Sequence, residues 1–343
     1  MSDSLWGNTS TEFFYELTPE LVLHSMDQLG FKTNGRLMTL NSMENRVYDL
    51  EINNHEDYEL PNSFIVTKFY RPGRWSVKQI TDEHQFLFDL QDADIPVIAP
   101  LKVNGESVFT DPKTNLHFCV FPKMGGRAPD ELTSEDASRL GSLLARVHNI
   151  GATKTAEHRL VFNAENFIKK NAQMILAENI LPLHLEKKYQ TLTSELYQII
   201  HLAIDQLPLF RIHGDCHMGN IIQRHETFTM LDFDDFVTGP AIQDLWLLAP
   251  RNDQEGLQIR ESLLDGYFQF RDINPSDFQL LEHLRTMRLI HYQAWLTKRR
   301  KDPTFQHHFG DIEAESRWER HLNDLNEQKI LLENLKKPDN YDY

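Results

Sequence analysis

The sequence predicts an α+β chain in two lobes: a strand-rich first lobe at residues 1–122 and a mainly helical second lobe at 123–335, with a polar tail at 336–343. Three observations carry this. Residues 37–70 read as strands, and Arg46–Ile52 alternates polar and apolar side chains, the period-2 signature of a half-buried strand. Gly125-Gly126 interrupts the chain just past Phe121-Pro122. Beyond it, apolar residues recur at helical spacing, for example Leu140, Leu143, Leu144 and Val147. A chain of 343 residues is long enough for two such units.

The elements follow in order. Thr18-Pro19-Glu20 reads as a helix cap followed by proline at the first helical position, with Leu21, Leu23 and Met26 behind it. Arg46–Ile52 and Phe64–Tyr70 read as strands of a hairpin, separated by the polar turn at 53–57. Residues 77–91 read as a helix carrying Ile80, Phe86, Leu87 and Leu90. Pro96–Pro100 and Leu116–Phe121 read as further strands, and Gly125-Gly126-Arg127 as a flexible junction. Ser134 is the expected cap of the next helix. Helical patterns fill 164–206, 254–270, 277–300 and 313–335, and short strands occupy 210–236.

Composition narrows the functions available. There are 51 acidic and 35 basic residues, a formal charge of −16. That argues against coating nucleic acid or an anionic membrane, since both require clustered cations. The two cysteines are too few for a disulfide framework or a cysteine-based zinc site and suit a reducing compartment. No apolar stretch is long enough to span a bilayer, and the start of the sequence lacks a secretory pattern, so a cytoplasmic protein is expected.

The chemistry concentrates in Ile212-His213-Gly214-Asp215-Cys216-His217-Met218-Gly219-Asn220 and Met230-Leu231-Asp232-Phe233-Asp234-Asp235. Asp215 and Asn220 are five residues apart in a compact loop, and Asp232 ends an apolar strand twelve residues later. Phosphoryl transfer from ATP needs this set: a carboxylate to orient the attacking hydroxyl and take its proton, and hard oxygen ligands to hold Mg²⁺ on the phosphates. Asp215 fits the first role, and Asn220 with Asp232 the second. His213 is expected to brace the loop by hydrogen bonds. Asp234 and Asp235 have three readings: a second cation, backbone N–H bonds, or plain solvation, the last favoured for Asp235. Asp244, at a helix start, reads as structural support for the loop. Cys216 reads as a small residue filling a packed turn. Lys298-Arg299-Arg300-Lys301 reads as cations at a helix C-terminus.

The loop and the segment after it resemble the catalytic loop and metal-binding segment of the aminoglycoside phosphotransferase and choline kinase superfamily. That resemblance implies a bilobal protein-kinase-like fold. It directs attention to Lys68 as the strand lysine that meets the ATP phosphates, and to Glu83, fifteen residues on, as its helix partner, with Asp82 as competitor. The phosphate-covering stretch Leu40-Asn41-Ser42-Met43-Glu44-Asn45-Arg46 has no G-x-G-x-x-G pattern, so Ser42 is the expected ATP contact, with Asn45 or Arg46 nearby. Asn41-Ser42-x-Glu44-Asn45-Arg46-Val47-Tyr48, Lys68-Phe69-Tyr70-Arg71-Pro72-x-Arg74-Trp75 and Gly239-Pro240-Ala241-x-Gln243-Asp244-Leu245-Trp246 narrow the match. They resemble the bacterial stress-response kinase A family of Ser/Thr protein kinases. The resemblance implies ATP, Mg²⁺, a cytoplasmic monomer and a stress-response role. It also implies Ser42 at the ATP site, Asp215 as proton acceptor, and Asn220 and Asp232 as metal ligands. Two acceptors stay open: a Ser/Thr hydroxyl on a protein, which needs an open shelf, or a small-molecule alcohol such as an amino alcohol, sugar or aminoglycoside, which needs a closed acidic or aromatic pocket over Asp215.

Overall fold

Helix α1 (Pro19–Gln28) begins where Thr18 accepts a hydrogen bond from Leu21 N, with Pro19 supplying a first-turn position that needs no N–H. Strands β1 (Thr33–Leu40), β2 (Arg46–Ile52), β3 (Phe64–Phe69), β4 (Phe109–Thr110) and β5 (His117–Pro122) form an antiparallel sheet in the order β1-β2-β3-β5-β4. The computed structural model describes Phe14, residues 17–251 and residues 253–335; the tail expected at 336–343 lies outside the described residues.

The strand alternation sorts the two faces. Tyr48, Leu50, Ile52, Ile65, Phe69, Phe118 and Val120 pack with Val22, Met26 and Phe31 against α1. Their neighbours Val47, Val66, Lys68 and Phe121 point to the opposite face and line a cavity. Register places Lys68 beside Val47 on one side and Cys119 on the other.

Helix α2 (Val77–Asp92) opens with a reciprocal capping box between Ser76 and Gln79. Its Ile80, Phe86, Leu87 and Leu90 join the same core cluster as Leu140, Leu144 and Val147 of α3 (Ser134–Gly151). Thr133, not Ser134, caps α3, because the Thr133 hydroxyl accepts from Asp136 N and Ser134 already stands in the first turn. Helices α4 (Asn171–Ala177) and α5 (Leu183–Ile204) follow. Two small antiparallel pairs come next: β6 (Phe210–Ile212) with β9 (Val237–Gly239), enclosing β7 (Ile221–Arg224) with β8 (Thr227–Met230). Helices α6 (Ala241–Leu248), α7 (Gln254–Phe268), α8 (Leu281–Arg299), α9 (Pro303–Phe309) and α10 (Glu315–Leu335) complete the described chain.

Two further expectations are corrected. Pro96–Pro100 is not a strand: Val97 makes a single bridge to Met230. The prolines at its ends lack the N–H groups a ladder requires. The junction at Gly125-Gly126-Arg127 is tied down rather than free, since Arg127 and Gln223 exchange backbone hydrogen bonds of 3.2 and 2.8 Å. A Cβ on Gly126 would sit 2.0 Å from Ile222 Cγ2, so the glycine answers a close approach. Both contacts bind the linkers to the β7–β8 hairpin. No described helix is long and apolar enough to cross a membrane.

Helices α3 and α7 touch backbone to backbone through two glycines. A Cβ on Gly141 would lie 1.8 Å from Leu263 O, and one on Gly266 1.8 Å from Ser138 O. Gly266→Ala should therefore cost stability by overpacking, about 1–3 kcal/mol. A urea melt with an unchanged midpoint would refute the close crossing.

Candidate active site

The loop after β6 turns at Gly214, which has φ of +84° and whose added Cβ would meet Asp235 O at 2.3 Å. Asp244 of α6, fully buried, accepts from the backbone N–H groups of both His213 and Gly214 at 2.8 Å. His213 Nε2 meets Leu231 O at 3.0 Å, and its Nδ1 accepts from Asp215 N at 3.3 Å. The loop is thus stitched to the strand end that carries Asp232, with His213 as the brace. Cys216 is fully buried, and burial pushes its thiol well above the ordinary range, so it stays protonated as packing.

Asp215 faces the cavity with its two oxygens engaged. Oδ1 is 2.9 Å from Arg288 Nη1, and Oδ2 is 3.4 Å from His217 Nε2. His217 Nδ1 accepts from Gly219 N, which leaves its ring proton on Nε2 facing the carboxylate. Burial works to raise the Asp215 pKa, but the His217 hydrogen bond and the Arg288 charge outweigh it and hold the group well below the usual carboxylate range. Asn220 donates Nδ2 to Asp215 O at 3.0 Å, which turns its amide oxygen to lone-pair ligation of a cation. Asp232 adopts φ of +59°, a left-handed conformation that Asp tolerates. Its side chain is 49% exposed, the open end of an otherwise buried cluster.

Lys68 stands on the cleft face of β3. Its Nζ lies 3.1 Å from Glu83 Oε1, 3.4 Å from Asp234 Oδ1 and 3.6 Å from Asp232 Oδ1. Burial alone would lower its pKa; the three carboxylates reverse that and hold the ammonium charged. Glu83, not Asp82, is the partner: Asp82 turns to the backbone N–H of His158 at 2.7 Å. Arg159, which nothing in the sequence pattern singles out, grips the other Glu83 oxygen at 2.8 Å and the Asp234 carbonyl at 2.7 Å. Asp234 also accepts from Arg74 Nη1 at 2.6 Å, and Arg74 Nη2 pairs with Asp235. Neither aspartate is merely solvated, because Arg74 reaches both.

A cavity of about 660 Å³ brings Ser42, Lys68, Asp215 and Asp232 onto common walls. Glu83 stands behind Lys68 and Asn220 beneath Asp215. Asn45 lines the cavity but also accepts from Arg71 N, and Arg46 turns away toward Thr304 and Asp302. The basic run at 298–301 is not simply a dipole complement: Lys298 and Arg300 pair with Glu178, and Arg299 is buried on Glu44. The face of α8 bearing Arg288, His291, Tyr292 and Trp295 lines the cavity, and Arg299 follows one turn on. Its helical spacing was visible in the sequence, but its target was not.

A model of the phosphotransferase enzyme family matches residues 39–290, and the chain belongs to that family. The described fold is the two-lobed, kinase-like one of its members: a solved structure of the amicoumacin kinase hAmiN with AMP-PNP, Ca²⁺ and Ami superposes with a TM-score of 0.71 at 19% identity, over 90% of this chain and 93% of that one. Within the family, the chain is 32% identical over 328 residues to stress response kinase A of Escherichia coli (strain K12), covering 95% of its own length and 97% of the relative's. It is 32% identical over 326 residues to the serine/threonine protein kinase RdoA of Salmonella typhimurium (strain LT2), covering 95% and 96%. The chain is a member of the stress response kinase A family and a kinase, with ATP as phosphate donor.

Asp234 is the keystone of the buried charges. Burial raises its pKa, but Lys68, Arg74 and Arg159 outweigh that and depress it below the ordinary range. A depressed carboxyl contributes stability above its unfolded pKa and loses it as pH falls. Asp234→Asn should cost about 3–5 kcal/mol at neutral pH. Below about pH 4 its deficit against the parent should shrink, as the parent's Asp234 takes up a proton and loses its advantage. Denaturant melts between about pH 4 and 2 check this, and a deficit that grew across that range would refute the assignment.

Proposed function

We propose that the protein is a cytoplasmic, monomeric, Mg²⁺-dependent Ser/Thr protein kinase acting in a stress response. ATP would lie between an N-lobe of residues 1–122 and a C-lobe of 123–335. The observation that carries the proposal is the convergence of Lys68, Asp215 and Asp232 on one cavity beside Asn220. The relatives named stress response kinase A and serine/threonine protein kinase support the protein acceptor and the physiological setting.

The donor set fits magnesium. Asp232 offers a half-exposed carboxylate and Asn220 an amide oxygen whose nitrogen is already engaged. Mg²⁺ is usually held by one or two carboxylates together with substrate phosphates, not by an all-protein cage. Asn220 and Asp232 would hold the ion there, and the chemistry it would supply is positive charge against the negative charge that develops in the transition state.

The remaining work falls to the chain's own groups. Lys68, held by Glu83, meets phosphate oxygens, and Ser42 contacts them from the covering loop. Asp215 receives the acceptor hydroxyl. A carboxylate held so strongly ionised is a weak base, so its contribution is chiefly to orient the hydroxyl in line with the γ-phosphate and to accept the proton late. A loose transition state asks little more of it.

A small-molecule alcohol is the second reading. It is favoured by one observation: Phe162, Phe167, Tyr292 and Trp295 give the cavity an aromatic lining. The structurally similar amicoumacin kinase supports it.

Asp215→Ala should lower phosphotransfer by about 10²–10⁴-fold with the fold retained by circular dichroism, and undiminished turnover would remove the role. Asn220→Ala should raise the Mg²⁺ concentration needed for half-maximal rate; an unaltered titration would take it off the ligand set. Incubation with labelled ATP, Mg²⁺, a generic protein acceptor and a panel of alcohols decides the acceptor. Label on serine or threonine supports the protein kinase, and label confined to a metabolite overturns it.

A further inference from the structure

The loop joining β1 to β2 carries Ser42, yet much of what holds it comes from the far end of the chain. Glu44 is buried at 9% exposure. Its carboxylate accepts from Arg299 Nε at 3.1 Å and from Trp295 Nε1 at 2.9 Å, both on α8. Arg71, whose side chain is fully buried, donates Nε to Glu44 O at 2.8 Å and Nη2 to Met43 O at 3.2 Å, then reaches Asp302 at 2.9 Å just before α9. Met43 packs on the small cluster of Leu296, Phe305 and Ile312. The charge and the apolar side chain of this loop are therefore captured by the C-terminal helices, and its backbone by Arg71, itself tied to Asp302.

A glycine-rich loop can wrap phosphates with its own N–H groups. Residues 40–46 contain no glycine, so a contact through Ser42 depends on the loop being held in one place before the nucleotide arrives. We infer that Arg299 and Trp295, acting through Glu44, are positioning residues for the phosphates of the nucleotide: α8 latches the covering loop so that Ser42 is preorganised over them. The latch continues inward, because Arg74 Nε lies 3.5 Å from Glu44 while Arg74 Nη1 holds Asp234, the neighbour of Lys68. The same helix face places Arg288 on Asp215, so one rigid element of about 1.5 Å rise per residue spans from the acceptor end to the phosphate end.

This inference rests on nucleotide phosphates lying beneath Ser42. The test is calorimetric binding of AMP-PNP with Mg²⁺, and separately of adenosine, to the full chain and to Trp295→Phe, Arg299→Lys and Arg299→Gln, with circular-dichroism melts of each. The latch predicts that AMP-PNP weakens about tenfold in Arg299→Gln and less in Trp295→Phe, while adenosine is unaffected. Arg299→Lys should recover only part of the loss, since lysine cannot present the two-pronged fork. Equal weakening of both ligands, or no change in either, overturns the proposal by making the cluster a plain structural staple. Should Arg299→Gln fail to fold, Trp295→Phe decides, as it removes one N–H and keeps the ring. A parent protein that binds adenosine but not AMP-PNP would overturn the phosphate assignment itself, a result separate from failure of the latch.

Discussion

Lys68 cannot be buried alone, and much of the site follows from that. An isolated ammonium in a low-dielectric interior is costly enough that it must be paired or lose its charge. Here it is paired from both lobes: Glu83 comes from α2, while Asp234 and Asp232 follow β8. Each of those carboxylates then needs its own compensation. Arg159 answers Glu83, Arg74 answers Asp234 and Asp235, and Glu44 answers Arg74 in turn. Arg299 and Arg71 close the chain of charges at Glu44.

That chain explains why the lobes meet as they do. It runs from a helix of the C-terminal part, through the covering loop, to the strand lysine and back to the segment bearing Asp232. Backbone bridges at Val97–Met230 and Arg127–Gln223 act alongside it. Both fasten the linkers to the hairpin that separates Asn220 from Asp232. The two aspartates of the proposed chemistry are thereby treated differently. Asp215 is neutralised locally by Arg288 and His217, whereas Asp232 keeps half its surface open at the cavity. The open carboxylate beside a buried charge network is where the proposed Mg²⁺ would be held.

The legible part of the site was the part written in consecutive residues. Gly214, Asp215, Asn220 and Asp232 lie within one loop and hairpin, so their types and spacing point to the proposed chemistry without reference to distant chain. Lys68 and Glu83 were legible only through the family resemblance, since strand and helix patterns alone read them as solvent-facing residues. Asp82 and Glu83 differ by one position on that helix, and only the turn of α2 toward β3 decides between them. Arg159 lies in an irregular segment with no periodicity to mark it. Arg288 and Arg299 sit on a helix whose pattern announces a face but not what the face meets. The expected strand at Pro96–Pro100 failed because proline removes the donors that a ladder uses, while the β-like composition remained.

By itself the sequence determined the two-lobed order of strands and helices and the loop that carries the chemistry, because local periodicity and consecutive polar groups need no knowledge of distant chain. It also determined that the loop between β1 and β2 must work without glycine. Tertiary structure alone decided which charges are paired: Glu44 with Arg299 across more than 250 residues, Asp215 with Arg288, Lys68 with Asp234. Ion pairs are chosen by proximity and burial in the folded chain, and neither is encoded in the spacing of the residues that form them.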